Sequence, residues 1–341
     1  MRVIRVVQIG IGHDHAVDAF RTLKKQTDIY EIAGYYVPPV EAEKYPERMH
    51  VFDGTPALTP EQILADDTVE AVVIETEEVS LTDWALACAR AGKHIQMDKP
   101  GGLDPDAHEE MLSTAKQKGL VFHTGYMYRY NAGVAEVMER VRRGELGEIF
   151  SVEAHMDCRH GPEKRQWLET FPGGMMFFLG CHLVDLIVGI LGTPEEIIPM
   201  NLSTGIDGVT ADDYGFAVFR YKNGISFAKT CAEEIGGFAR RQLVVTGARG
   251  SLELKPLEMY PAGSTRLYTD RTLYTDPGWT NLGERVRCEP QDRYEAMFAA
   301  FAAMVRGERE NPWSYEYELK LYRTVLAACG VEIDYKKDIV L

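Results

Sequence analysis

The sequence predicts an α/β chain in two parts. The first is a doubly wound parallel sheet over residues 1–124, and the second an α+β domain with an open, mainly antiparallel sheet over residues 125–341. Three observations predict it. Short apolar runs alternate with helical patterns in the first part, as βα units do. The first of these runs ends in a glycine loop, Gly10-Ile11-Gly12, that leads into a helical pattern. Beyond residue 210, strand patterns follow one another without helices between them, which is how an antiparallel sheet reads.

A chain of 341 residues exceeds one ordinary core, and a hydrophobic content of 45% places it among globular proteins. The net charge of -15 argues against nucleic acid and against anionic membrane surfaces, since both select clustered Lys and Arg. The six cysteines are scattered, with no Cys-x-x-Cys, so neither a disulfide framework nor a zinc ribbon is expected. Reduced thiols and a cytoplasmic location are the expectation. The N-terminus shows no signal-peptide pattern. The longest apolar run, Met175 to Leu191, is interrupted by His182 and Asp185, so a core helix is expected there and no membrane span.

In chain order, Val3 to Ile9 reads as a buried parallel strand. Gly10 permits the tight turn that follows. Gly12 lets backbone N–H groups approach a pyrophosphate at the N-terminus of the next helix, which runs to Lys25. His15 stands where a third glycine is usual. The loop Gly10, Ile11, Gly12, His13, Asp14 and His15 is the candidate cradle for a dinucleotide. No metal is expected at His13 and His15, because no carboxylate or cysteine cluster accompanies them at metal-ligand spacing. The second strand, Tyr30 to Val37, ends in Tyr35-Tyr36-Val37 with neither an acid for ribose hydroxyls nor an Arg for a 2′-phosphate. Glu41 or Glu43 could fold back to the ribose.

Val69 to Ile74 is the next strand, followed by Thr76-Glu77-Glu78 and a helix that Ser80 caps. His94 to Met97 is another strand and ends in Asp98-Lys99-Pro100. Asp104-Pro105 opens a helix that stops near Gly119, and Val121 to Thr124 completes the sheet. Ligands of such a sheet bind beyond the carboxyl ends of the strands, so the glycine loop, Tyr36, Thr76 and Lys99 should face one crevice.

In the second domain, Tyr126 and Arg129 precede a helix near Val134 to Arg143, and Glu148 to Met156 is a strand. A basic and aromatic cluster follows, with Arg159, His160, Lys164, Arg165 and Trp167. It offers donors and a flat apolar face to a polyol, or else forms a solvated loop. Gly173-Gly174 then opens an apolar helix. At helical spacing Phe178, His182 and Asp185 share one of its faces. A titratable pair on a buried helix must be paired, hydrated or functional. Strands follow at Tyr214 to Tyr221, Ile225 to Thr230, Gln242 to Thr246 and Ser251 to Lys255, with Asn223-Gly224 as a hairpin signal. Asp292 to Val305 and Tyr315 to Cys329 are closing helices.

With these residues in place, the chain resembles the glucose–fructose oxidoreductase/inositol dehydrogenase (Gfo/Idh/MocA) family over nearly its whole length. The resemblance rests on Gly10 and Gly12, on Lys99-Pro100, and on Gly125 with Tyr126, Arg129 and Asn131. It also rests on Gly173-Gly174 followed by Gly180-x-His182-x-x-Asp185. It implies an N-terminal Rossmann domain, a C-terminal α/β domain with an open antiparallel sheet, and NAD(P)-dependent redox chemistry on sugars, inositols and related compounds. The family's lysine maps to Lys99 and its histidine to His182. The chain departs from the family at Asp98 (usually Glu), at Phe178 (often Asp), at Thr76-Glu77-Glu78 (usually Thr-Pro-Asn) and at Ala132 (usually Pro).

The expectation is an oxidoreductase acting on a CH–OH group of a sugar, inositol or related polyol. Catalysis would rest on His182 as base, since imidazole titrates near neutrality, and on Lys99 holding the substrate oxygen. The cofactor would be NAD or NADP, with NAD the first choice, held by Gly10, Ile11, Gly12, His13, Asp14, His15, Tyr36, Thr76 and Lys99. Substrate would meet Tyr126, Arg129, Arg159, Trp167, Phe178 and Asp185. A homodimer or homotetramer through the C-terminal sheet is expected, with no nucleic acid or membrane partner. Two readings compete: a redox-neutral epimerase, lyase or glycosidase-like enzyme with tightly held NAD, and a non-catalytic sugar- or dinucleotide-binding protein.

Overall fold

The computed structural model describes residues 2–339 and 341. The chain forms two compact units: Met1–Tyr126 with Tyr294–Tyr322 and Asp338–Leu341, and Met127–Arg293 with Arg323–Lys337.

The first unit is built on a five-stranded parallel sheet of order β2-β1-β3-β4-β5. Its strands are β1 (Ile4–Ile9), β2 (Tyr30–Tyr36), β3 (Ala71–Ile74), β4 (His94–Met97) and β5 (Phe122–Thr124). All four residues of β3 are buried, as a strand covered on both faces requires. The helices are α1 (Ala16–Lys25), α2 (Pro39–Lys44), α3 (Pro60–Ala65), α4 (Leu81–Arg90) and α5 (Pro105–Gln117). Asp104 caps α5 as expected, its carboxylate accepting from the amides of Asp106 and Ala107. Ser80 stands at the start of α4 but its hydroxyl donates to the Glu77 carbonyl, so it does not cap the helix.

The second unit carries α6 (Ala132–Arg142), β6 (Ile149–His155), α7 (Pro162–Trp167) and α8 (Cys181–Leu191). The remaining strands are β7 (Glu196–Pro199), β8 (Tyr214–Tyr221), β9 (Gly224–Cys231), β10 (Gln242–Gly247), β11 (Gly250–Leu254), β12 (Asp270–Tyr274) and β13 (Glu284–Arg287). They form one eight-stranded sheet of order β13-β12-β11-β10-β6-β9-β8-β7. Every pairing is antiparallel except that of β6 with β9. The hairpin at Asn223 has Lys222-Asn223 as its two-residue loop, and Gly224 is the first residue of the returning strand. A Cβ on Gly224 would meet the Phe150 carbonyl oxygen at 2.0 Å, so glycine is needed for close approach there.

Two features differ from the sequence expectation. The apolar helix opens with a π-turn, Met176–Gly180, before α8 begins, so the spacing between Phe178 and His182 is not that of an α-helix. The closing helices are α9 (Glu295–Val305) and α10 (Tyr315–Ala328). The reading of 125–341 as one domain placed both in the second part, whereas α9 and the start of α10 lie in the first unit. The Tyr30 hydroxyl donates to the Phe298 carbonyl at 2.6 Å, and Gln26 Nε2 donates to the Glu295 carbonyl at 2.9 Å. Met297, Phe298 and Phe301 are buried. Each such side chain is worth about 1.5–3 kcal/mol of transfer free energy, enough to fix α9 where it packs.

Candidate active site

In the first unit the candidate residues collect at the carboxyl ends of β1, β3 and β4. Gly10 has φ of +92°, and a Cβ on it would meet the Thr76 backbone nitrogen at 2.4 Å, so only glycine fits the turn. The amides of Ile11 and Gly12 donate to Glu41 Oε2 at 2.9 and 2.8 Å, and the Glu77 amide donates to Glu41 Oε1 at 2.9 Å. Glu41, from α2, is therefore folded back onto the glycine loop and buried there. Burial drives its carboxyl above the ordinary value, and the three amides oppose that rise. Arg48 donates to the carbonyls of Ile11, Gly12 and His13 and pairs with Asp14 at 3.1 Å. The Tyr36 carbonyl accepts the Gly10 amide, and the Tyr36 ring lies 5.1 Å from that of Trp84.

Beside the loop is a buried acidic and imidazole cluster. His13 Nδ1 lies 3.2 Å from Asp98 Oδ2, and His15 Nδ1 lies 3.0 Å from the same oxygen. Glu75 Oε2 is 3.9 Å from His13 Nδ1, and Glu78 Oε1 is 3.6 Å from His13 Nε2. Burial pushes the His13 imidazole well below its ordinary value, against the pull of Asp98. Burial and the Asp98 charge push Glu75 well above the usual carboxylate range. Burial also works against ionising Asp98, but the imidazoles of His13 and His15 and the Lys99 ammonium outweigh it and hold that carboxyl low. The Lys99 amide donates to Asp98 Oδ1 at 2.7 Å, and Lys99 itself is 1% exposed at the end of β4.

In the second unit His182 is 1% exposed on α8, which packs on β6 and β9. Its ring stands edge-on to Tyr128, with centroids 5.1 Å apart. Tyr128 and Arg129 belong to one short 3₁₀ turn, Met127–Tyr130. Arg129 grips Asp185 through Nε and Nη2 at 2.7–3.1 Å, with both side chains buried. The Tyr128 hydroxyl donates to Glu258, which Arg241 and Arg293 also contact. Burial alone would raise Glu258, but the two guanidinium groups overcome it and hold the carboxyl at about 2.

Phe178 sits in different surroundings, 5.3 Å from the Trp167 ring and stacked with Phe171. Lys164 Nζ lies 3.6 Å from the Trp167 ring centroid and 4.7 Å from that of Phe178. Arg159 is largely exposed and pairs with Glu233 at 3.2 Å. Arg165, one of the expected sugar donors in the basic cluster, is instead fully buried and ion-paired to Asp213, Glu233 and Asp207. It holds loops together and offers nothing to a ligand. Tyr126 is buried at the end of the first unit.

Sequence reasoning missed Arg48, Glu75, Glu78, Tyr128 and Glu258. Only Glu78, standing where relatives have Asn, gave any signal. The Ile11 and Gly12 amides, which a pyrophosphate would approach, are taken up by the Glu41 carboxylate, and Asp98, Glu75 and Glu78 lie around His13 beside the loop.

Residues 4–126 match the family described as an oxidoreductase family with an NAD-binding Rossmann fold, and residues 134–253 match the GFO/IDH/MocA C-terminal domain. The 1,5-anhydro-D-fructose reductase of Ensifer adhaerens is 23% identical over 293 residues, covering 82% of this chain and 85% of the relative. The D-xylose 1-dehydrogenase (NADP(+)) 2 of Haloferax volcanii is 25% identical over 286 residues, covering 80% and 83%. Among solved structures, a putative NADPH-dependent oxidoreductase from Desulfitobacterium hafniense superposes with a TM-score of 0.77 at 21% identity, covering 97% and 95%. KijD10, a 3-ketoreductase from Actinomadura kijaniata in complex with NADP and TDP-benzene, gives 0.74 at 20%, covering 96% and 97%.

Proposed function

The chain belongs to the Gfo/Idh/MocA family of oxidoreductases, and from that premise we propose that it oxidises or reduces a CH–OH group of a sugar, inositol or related polyol with NAD(P), NAD being preferred. The observation that carries this reading is the retention and burial of both Lys99 and His182, each 1% exposed. A binding protein has no need of two ionisable groups held at the cost of burial. His182 takes the hydroxyl proton, and Lys99 holds the same oxygen as negative charge develops on it. A bound nicotinamide supplies the hydride acceptor. The preference for NAD rests on Glu41, a carboxylate seated on the Ile11 and Gly12 amides, which suits ribose hydroxyls and repels a 2′-phosphate. Trp167 and Phe178 offer the sugar an apolar face, and Arg129 holds Asp185 in place for a hydroxyl.

A redox-neutral variant of this chemistry is favoured by one observation. Phe178 stands where the family often has Asp, and it lies against Trp167 and Phe171. Mass spectrometry of the supernatant from freshly purified, denatured protein separates the two. Stoichiometric NAD(H) supports tight retention and redox-neutral turnover. Empty protein that gains thermal stability with NAD supports an exchanging dehydrogenase. The absence of both retention and stabilisation, with NAD and with NADP, refutes the proposal.

The same reading includes a homodimer or homotetramer through the second unit's sheet. Register places Ile198 of β7 opposite Val218 of β8, and Val218 opposite Phe227 of β9, on the face away from the helices. Phe227 stacks on Phe216 there, and Ile198 and Ile225 are exposed. That apolar stripe calls for cover. Light scattering that gives a monomer mass would remove this part of the proposal.

A further inference from the structure

We propose that His13, His15 and Asp98 form a binding site for one divalent transition-metal ion of the zinc class, with Glu75 in reach as a further ligand. The site shares His13 and His15 with the candidate dinucleotide cradle and lies wholly in the first unit. One ligand atom from each of His13, His15 and Asp98 lies within 4.8 Å of the other two. The pairs His13 Nδ1–Asp98 Oδ2 and His15 Nδ1–Asp98 Oδ2 are 3.2 and 3.0 Å apart, and His13 Nδ1–Glu75 Oε2 is 3.9 Å. Ligands bound at about 2.0–2.2 Å to one ion stand roughly 3–3.5 Å from each other, and both imidazole contacts to Asp98 already have that spacing.

Hydrogen bonding explains only half of this cluster. His15 Nδ1 can donate its proton to the Asp98 carboxylate, and that contact needs nothing more. His13 Nδ1 lies 3.1 Å from the His15 backbone amide and 3.2 Å from Asp98 Oδ2, and it cannot accept from the one and donate to the other at once. In the tautomer that accepts the amide, its lone pair faces an Asp98 oxygen with no hydrogen between them. Glu75 Oε2 and His13 Nε2 are buried without a hydrogen-bond partner. Two acceptors turned toward each other inside a protein are unfavourable unless a cation joins them. Two further buried acids, Glu75 and Glu78, stand beside Asp98 and the His13 imidazole. Two imidazoles with carboxylate suit zinc, manganese, iron or cobalt better than calcium, which prefers oxygen ligands throughout. Coordination through His13 Nδ1 would exchange the weak amide bond from His15 for a metal bond.

The test uses the full chain, stripped with a chelator and titrated with zinc alone against a chromophoric indicator, with bound metal counted by inductively coupled plasma mass spectrometry. The expected result is about one equivalent of zinc, weakened at least about a hundredfold in both His15→Gln and Asp98→Asn. His15 is only partly buried, so its variant keeps the core intact, and circular dichroism confirms the fold of each. Cobalt(II) in the same place should give visible ligand-field bands without a thiolate charge-transfer band, which separates this site from the six cysteines. No zinc bound by the parent protein, or affinity unchanged in either variant, overturns the proposal.

Discussion

Two histidine-bearing turns, one in each unit, have opposite surroundings. Around His13 and His15 the near groups are carboxylates: Asp98, Glu75 and Glu78. Around His182 the acids are matched by guanidinium groups. Asp185 is held by Arg129, and Glu258 by Arg241 and Arg293. Acids whose charge is already answered hold a phenol and an imidazole in place without drawing in an ion. Asp98 is answered instead by two imidazoles and the Lys99 ammonium, groups that can exchange a proton where a guanidinium does not. Residue type alone does not assign a histidine's chemistry; the nearest charges decide it.

The comparison breaks most severely at Glu258. Glu258→Gln removes the charged partner of the buried Arg241 and the half-buried Arg293 and should cost about 3–5 kcal/mol, read as a fall in urea midpoint. The pH dependence carries the same information. Since the folded carboxyl sits at about 2, below its ordinary value of 4.5, its contribution is complete above pH 4.5 and is lost as pH falls toward 2. A variant that is as stable as the parent at neutral pH would show the arginine matching to be incidental. Next come Lys99→Ala and His182→Ala. Each should lower turnover about a hundredfold or more with the fold retained, measured by steady-state kinetics on a polyol panel. Full activity in either removes that residue from the mechanism.

Glu41→Gln tests the first unit more gently. It keeps one oxygen for the Ile11 and Gly12 amides and removes the charge, while its NH2 group takes the place of the oxygen that served the Glu77 amide. A loss of NAD affinity of about tenfold is expected, with stability lowered by about 1–3 kcal/mol. Affinity unchanged would mean that the carboxylate does not meet the ribose. The smallest effect is expected at Arg159. Its pairing with Glu233 is exposed, so Arg159→Ala should shift stability by under about 1 kcal/mol. A larger change in KM than in stability would place Arg159 at the substrate.

Much of the scaffold was legible because it is written locally. Apolar runs of strand length, Gly10 in its turn, the Asp104 cap and the hairpin at Asn223 each announce themselves within a few residues. The rest depends on distant residues. Asp98 reaches His15 across 83 positions, and no spacing rule connects them, so the expectation of no metal rested on the sequence neighbourhood alone. The return of α9 to the first unit is likewise a matter of burial between remote segments. β7 and β13 escaped notice for another reason. One ends in Pro199, and the other is exposed along its whole length, so neither shows the alternation that marks a half-buried strand. The π-turn at Met176–Gly180 has no recognised sequence signature, and it alters the spacing from Phe178 to His182.

The seating of Glu41 has an evolutionary consequence. Its carboxylate both ties α2 to the glycine loop and, on the proposed reading, distinguishes one dinucleotide from another. A lineage drifting from NAD toward NADP could not discard this acid freely, because three backbone amides would lose their acceptor together. The change would require a neutral acceptor at position 41 first and a basic residue elsewhere afterwards. On that reading, cofactor preference in this chain is a trait of α2 and its anchor on the glycine loop, and it should move between relatives as a segment.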